Sequence, residues 1–270
     1  MKAKIKKVQV IGSGAAFDTH RTNSSFLITI EKEDNDEFYI LFDCGYNVFS
    51  KLKEMEKVDP EVIKKIKYII ISHSDDDHVG SLKSLLYYRY FIHGLTTTII
   101  SDRMPIIGIE NKEMEGSRMV KAPIYDFKNN SSFVTYMQNS YSLHLEFIFM
   151  NHHVITYGML LSDLMGNILA ISADTKAMAS WEHIIKKRIR DFEKVKLLSF
   201  HDFSFWNAPS RQVHACEIDC IIEYSTDFMR QTYHYHNDDN NLEGRVFNFD
   251  SDVNIGPERK ESLWQVVIGD

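Results

Sequence analysis

Ser72-His73-Ser74-Asp75-Asp76-Asp77-His78-Val79-Gly80 is the stretch on which the reading of this 270-residue chain turns. It follows Lys67 to Ser72 (KYIIIS), a short apolar run of buried-strand character, so the polar cluster sits where that strand ends. Imidazole and carboxylate groups together suit zinc, manganese or iron, and ligands this close on a turn can divide between two adjacent ions. The competing structural reading is an acidic surface turn in which Asp77 caps a helix beginning at Val79. Packing gives no reason for so many ligands in one loop.

Outward from this loop the pattern is regular. Ile5 to Ile11, Ser25 to Ile30 and Phe38 to Phe42 are β-prone, the last running into Asp43-Cys44-Gly45. Val48, Leu52 and Met55 give Tyr46 to Lys57 helical spacing, and Val79 to Gly94 is apolar and aromatic at the same period. Thr96 to Ser142 mixes short strand candidates with loops and carries no chemistry. Leu143 to Met150, Gly158 to Ser162, Ile168 to Ser172 and Lys196 to Phe200 read as strands, Trp181 to Val195 and the stretch near Ala215 to Tyr224 as helices. A last strand, Gln231 to His236, is halted by Asn237-Asp238-Asp239-Asn240. Strands followed by helices, in the same order twice, predict an α/β sandwich of two sheets with helices outside.

Composition narrows the function classes. A net charge of −7 provides no broad electrostatic grip on nucleic acid; the nearest basic runs are Lys64-Lys65 and Lys186-Lys187-Arg188, the latter on a helix whose solvated face explains it. No window approaches the ~20 apolar residues of a membrane span, and the first residues run into a strand pattern, so a cytoplasmic protein without membrane association is expected. Cys44, Cys216 and Cys220 lack zinc-finger spacing and suit a reducing compartment, with the last two reading as packed helix residues.

Ser72 to Gly80 resembles the HxHxDH motif of the metallo-β-lactamase superfamily, with Asp75 where the second histidine normally stands. That resemblance implies the αββα sandwich, two mixed sheets with helices on the outer faces, as a single domain over residues 1–270; 96–142 would be a lid or dimer-contact insertion. It implies two divalent metal ions, Zn2+ or Mn2+, on His73, Asp75, Asp77 and His78. Asn151-His152-His153-Val154 resembles the segment of the third metal histidine, with His153 preferred and His152 the alternative. Ile171-Ser172-Ala173-Asp174-Thr175 resembles the Gly-Asp-Thr segment, giving Asp174 the bridging role. Tyr233-His234-Tyr235-His236 offers the last histidine, His236 or else His234. Carboxylate at Asp75 would favour a harder ion than zinc.

Gly12-Ser13-Gly14 with Arg21 to Ser25 is similar to the ribonuclease Z branch. Leu198 to Ser204 resembles that branch's His-Glu-Ala-Thr motif, and Val213-His214-Ala215 the histidine segment after it. The resemblance implies that Asp202 orients His214, which protonates the leaving oxygen, so that Asp77, Asp202 and His214 form the catalytic set. The block Ser81 to Phe91 is most similar to the anti-Pycsar phosphodiesterases. Those enzymes degrade cyclic nucleotides such as cyclic CMP and cyclic UMP to counter anti-phage defence, and their relatives are homodimers, which implies a cyclic mononucleotide substrate and a homodimer here. The alternatives are a transfer-RNA 3′-processing endonuclease, for which a basic exosite would be needed, and a catalytically degenerate nucleotide-binding protein that lost a metal through Asp75. Tyr46, Tyr88, Phe205 and Trp206 are aromatic residues able to stack on a base, and equally good core residues.

Overall fold

The computed structural model describes residues 2–16, 18–101, 124–125, 131–203, 214–215, 220, 222–235 and 242–249. Strands β1 (Ala3–Gly12), β2 (Ser25–Lys32) and β3 (Glu37–Phe42) form an antiparallel meander. Phe26 pairs with Phe42, Ile28 with Ile40 and Ile30 with Phe38, so the period of two sends all six side chains to the inner face. Leu27, Tyr39 and Leu41 point to the other face, which is also buried. A register slip between Ile5 and Lys7 lets Ile5 and Val8 face the same core despite their odd spacing.

Parallel strands β4 (Ile66–Ile70), β5 (Thr98–Ile100) and β6 (Ile124–Tyr125) extend this sheet on one side. The second sheet contains β7 (His144–Met150), β8 (Thr156–Ser162), β9 (Asn167–Ile171), β10 (Lys196–Asp202) and β11 (Thr232–Tyr235) in the order β11-β10-β9-β8-β7. A short strand β12 (Val246–Asn248) closes the far edge of the first sheet against β1. The sheets meet through rings: Phe26 lies 4.7 Å from Phe200 and 5.3 Å from Tyr235, centroid to centroid.

Helices cover both outer faces. Helix α1 (Val48–Glu56) buries Val48 and Leu52, and α3 (Leu82–His93) buries Leu82, Leu85, Leu86 and Arg89 at the i, i+3, i+4, i+7 spacing of one helical face. Between them comes a single turn, α2 (Asp76–Val79). Across the molecule, α5 (Ala179–Ile189) and α6 (Thr226–Arg230) pack Trp181, Ile185, Phe228 and Met229 on the second sheet. The expected αββα sandwich is present.

Several boundaries differ from expectation. The helix predicted over Val79 to Gly94 is two pieces, the longer ending at Gly94, whose φ of +65° makes the left-handed cap. The helix from Trp181 stops at Ile189 instead of Val195. Residues 96–142 contribute to the core: β5 buries Ile99 and Ile100, and α4 (Ser131–Tyr141) buries Phe133, Met137 and Tyr141. The lid or dimer contact expected there falls on residues largely outside the described ones. Cys44 and Cys220 are buried and in no disulfide, as packing predicts for Cys220, while Cys216 lies outside the described residues. Among the described residues no helix is long and apolar enough to cross a membrane.

Candidate metal centre

The fold brings the carboxyl ends of β3, β4, β7, β9 and β10 to one edge of the sandwich, and the polar residues of the sequence motifs follow directly on those ends. Backbone strain gathers there as well. Asp43 and Ala173, at φ of 62° and 55°, are non-glycine residues in the left-handed region, placed after β3 and just before Asp174. Gly45 is required for a different reason: a Cβ there would sit 1.9 Å from the Asp77 carbonyl oxygen. Only a bare α-carbon lets the chain after β3 support the turn that carries Asp77 and His78.

Asp43 fixes both motif histidines. Its Oδ2 accepts the Ser72 hydroxyl at 2.8 Å and stands 2.8 Å from His78 Nδ1, while its Oδ1 accepts the Ser72 N–H at 2.7 Å. Because Ser72 spends its only hydroxyl proton on Asp43, its oxygen accepts from His73 Nδ1, 2.9 Å away. Both imidazoles therefore carry a proton on Nδ1 and turn Nε2 inward, the arrangement in which an outer carboxylate orients metal-binding histidines. Burial, followed by the charge of His78, lowers the pKa of His73 and keeps it neutral. Its Nε2 is buried without a hydrogen-bond partner.

The inward atoms converge. His73 Nε2 is 3.5 Å from Asp75 Oδ2 and 3.8 Å from Asp174 Oδ2, and His78 Nε2 is 3.3 Å from both Asp77 Oδ2 and Asp174 Oδ1. Among the described residues four groups of donor atoms are compact enough to hold a metal ion: His73 with His152 and Asp174, Asp77 with His78 and Asp174, Asp75 with His152 and His153, and Asp174 with Asp202 and His214. The buried aspartates Asp77 and Asp174, with Asp75 beside them, concentrate negative charge. Burial alone would depress His78, yet Asp174 and Asp43 raise its pKa well above the usual range; surroundings that hold a proton so firmly equally favour a metal cation. The donor set fits divalent metal.

At the third segment both histidines that the sequence offers reach the cluster. His152, not His153, joins His73 and Asp174. The His152 side chain is 1% exposed and its ring centroid is 5.1 Å from that of His73, whereas His153 is 50% exposed, stands 3.3 Å from Asp75 and packs its ring 4.2 Å from that of His152. His236 lies outside the described residues, as does the side chain of His234, whose backbone pairs with His201.

Asp202 ends β10 beside this cluster. Its Oδ2 accepts the Thr175 N–H at 2.9 Å and stands 2.7 Å from His214 Nδ1. Burial works against a charged His214, but the neighbouring Asp202 prevails and raises it to about 9. His201 is turned away from the cluster: its Nε2 meets the Tyr224 hydroxyl at 2.7 Å and its Nδ1 the Asp202 carbonyl at 2.6 Å. The carbonyl can only accept, so Nδ1 donates to it and Nε2 of the neutral ring accepts the Tyr224 hydroxyl proton, which braces the backbone of Asp202.

A cavity of about 560 Å³ opens over these groups, lined by Asp75, Asp77, His152, Asp174 and His214 and walled by Tyr46. That volume is in the range of small-molecule sites. Tyr88, in contrast, packs with Phe49 and His93 outside it, and Phe205 and Trp206 lie outside the described residues. Asp43 and Ser72 were missed as site residues in the sequence. The available signal was an acid closing the apolar run FYILF and a serine directly before His73.

Comparison with known proteins accords with this geometry. The family model described as anti-Pycsar protein Apyc1 matches residues 6–252. The anti-Pycsar protein Apyc1 of Bacillus phage BSP38 is 30% identical over 88 residues, 33% of this chain and 31% of that protein. Its counterpart from Saccharibacillus brassicae is 32% identical over 91 residues, 32% of each chain. The match thus spans about a third of the length of these curated relatives. Among solved structures, the metallo-beta-lactamase fold protein YhfI from Bacillus subtilis superposes with a TM-score of 0.62 at 18% identity, covering 90% of this chain and 99% of that one. The short form of human tRNase Z gives 0.61 at 15% identity, covering 90% and 98%. At such identities the likeness is one of fold.

Proposed function

The chain belongs to the anti-Pycsar protein Apyc1 family, and from that premise we propose that it is a metal-dependent phosphodiesterase that opens the cyclic phosphate of a mononucleotide. The observation that carries the reading is His214, held 2.7 Å from Asp202 and 3.8 Å from Asp174 Oδ2. Expelling a ribose alkoxide requires a proton donor, and this histidine is positioned as one.

His73, His152 and Asp174, with Asp75 beside them, would hold one divalent ion, and Asp77, His78 and Asp174 a second; His236, or His234, would complete the set. When bound, such ions supply Lewis acidity and an activated nucleophile at neutral pH. Asp202 fixes the His214 tautomer by taking its Nδ1 proton in a hydrogen bond, which leaves Nε2 for the cavity. Its charge favours the protonated imidazole. The proton leaves Nε2 for the departing oxygen, and Asp202 stabilises the ring throughout. The cavity admits a mononucleotide, and its carboxylate lining repels a long polyanion unless cations intervene. A homodimer acting in the cytoplasm is part of the same reading.

Incubating the protein with a panel of cyclic nucleotides and Mn2+ or Zn2+, followed by chromatography, tests it. Conversion of a cyclic pyrimidine nucleotide to its monophosphate, stopped by chelator, is expected. Inertness toward the whole panel, with 3′ trimming of a precursor transfer RNA under the same low-salt conditions, would overturn it in favour of a ribonuclease Z-like activity.

A further inference from the structure

Three consecutive aspartates leave the β4 end in three directions. Asp75 meets the imidazoles of His73, His152 and His153, and Asp77 meets His78. Asp76 belongs to none of the four donor groups; its Oδ2 accepts the Tyr46 hydroxyl at 2.7 Å. Tyr46 is 57% exposed, and apart from histidines it is the only aromatic residue among the described residues that line the cavity. Its ring rests on Gly80, where a Cβ would come within 2.6 Å of Cδ1 and 3.0 Å of Cε1. The phenol is therefore held at both its tip and its side while most of the ring stays open.

We propose that Tyr46 is the wall on which the nucleobase stacks, held in place by Asp76 and Gly80; the inference rests on the cyclic-nucleotide reading above. An aromatic ring left exposed at a cavity wall gains by being covered, and every base offers a π-face to cover it. Fixing the ring in advance removes the entropy that a free side chain would lose on stacking. Asp76 thus acts on the substrate only through Tyr46. Gly80 serves the same end, since any larger residue would push the ring off its seat.

The test compares cyclic CMP, which has a base, with ribose 3′,5′-cyclic phosphate, which has neither a base nor any aromatic ring, in wild type, Tyr46→Phe, Tyr46→Ala and Asp76→Ala. In Tyr46→Ala, KM for cyclic CMP should rise about tenfold or more, and the loss in kcat/KM should exceed that for the base-free ester at least about fivefold. Tyr46→Phe keeps the face and should lose about threefold or less; Asp76→Ala should fall between. Metal content and thermal midpoint, measured on each variant, exclude a folding defect. Equal losses on both substrates, or an unchanged KM for cyclic CMP, overturn the stacking role and leave the phosphodiesterase reading standing. If the wild type turns over no cyclic nucleotide, that reading fails instead. Calorimetric titration with CMP and ribose 5-phosphate then decides Tyr46 alone: a preference for CMP that Tyr46→Ala abolishes supports stacking, and no preference overturns it.

Discussion

Asp202 Oδ2 lies 2.7 Å from His214 Nδ1 and also receives the Thr175 N–H at 2.9 Å, so one carboxylate oxygen ties the histidine to the loop that carries Asp174. If His214 is the proton donor, His214→Ala leaves metal content intact and slows hydrolysis of a cyclic nucleotide by roughly 10²- to 10⁴-fold. Asp202→Asn gives a smaller defect of the same kind, since the imidazole remains but loses its orienting charge. Bis-p-nitrophenyl phosphate is the control, because its leaving group departs without a proton. Equal losses on both substrates, or loss of metal from His214→Ala, would make this histidine a ligand or a structural residue.

Asp43 organises the centre without entering it. One carboxylate sets the tautomers of His73, through Ser72, and of His78 directly. Asp43→Ala should weaken metal binding by roughly 10- to 100-fold, the usual effect of losing an outer-shell partner. Competition with a chromogenic chelator measures this. Wild-type affinity in the variant would mean that the inward Nε2 atoms are held by packing alone.

Glu182 links the second sheet's helices, and its titration gives a pH signature away from the centre. The carboxylate of this α5 residue accepts the N–H and hydroxyl of Ser225, which precedes α6, and pairs with Lys186. Burial would raise its pKa, but Lys186 and Ser225 outweigh that and place it below the ordinary 4.5. A depressed carboxyl adds stability above its unfolded pKa and loses it as pH falls through the folded one. Glu182→Gln should therefore cost about 1–2 kcal/mol at neutral pH, with the difference from wild type shrinking as the pH drops below about 4. Chemical denaturation at several pH values checks it; a difference constant across pH would show that ionisation is irrelevant there.

The sandwich was legible because its strands are apolar on both faces and end in turn residues, and because the ligand-bearing segments each follow such a strand. Asp174, Asp202 and His214 were readable as members of short contiguous motifs. His152 was not separable from His153, because the choice depends on how one loop leaves β7, and no local propensity encodes that. Asp43 stayed hidden since its partner His78 is 35 positions away and its role is to hold ligands. Likewise, the burial of Ile99, Phe133 and Met137 could not be read from a stretch of mixed polarity. Their packing is set by elements distant in the chain.

Asp75 is the position where the donor set departs most from the HxHxDH pattern. Its Oδ2 stands 3.3 Å from His153 Nε2 and 3.5 Å from the Nε2 atoms of both His73 and His152. The His152 and His73 imidazoles hold this carboxyl well below the usual carboxylate range, so it is anionic wherever the protein is folded at ordinary pH. As a ligand, a third carboxylate beside Asp77 and Asp174 would make the centre harder than an all-imidazole first site and shift it toward Mn2+ relative to Zn2+. Protein prepared without chelator should contain close to two ions per chain by elemental analysis, as a two-metal site requires. In Asp75→His, competition between equal Mn2+ and Zn2+ should move toward zinc, since imidazole is the softer ligand. His153→Ala, removing a half-exposed ring that meets Asp75 and His152, should shift the balance less. An unchanged metal ratio in Asp75→His would remove Asp75 from the ligand set, and protein that takes up neither ion when both are supplied would end the dinuclear reading altogether.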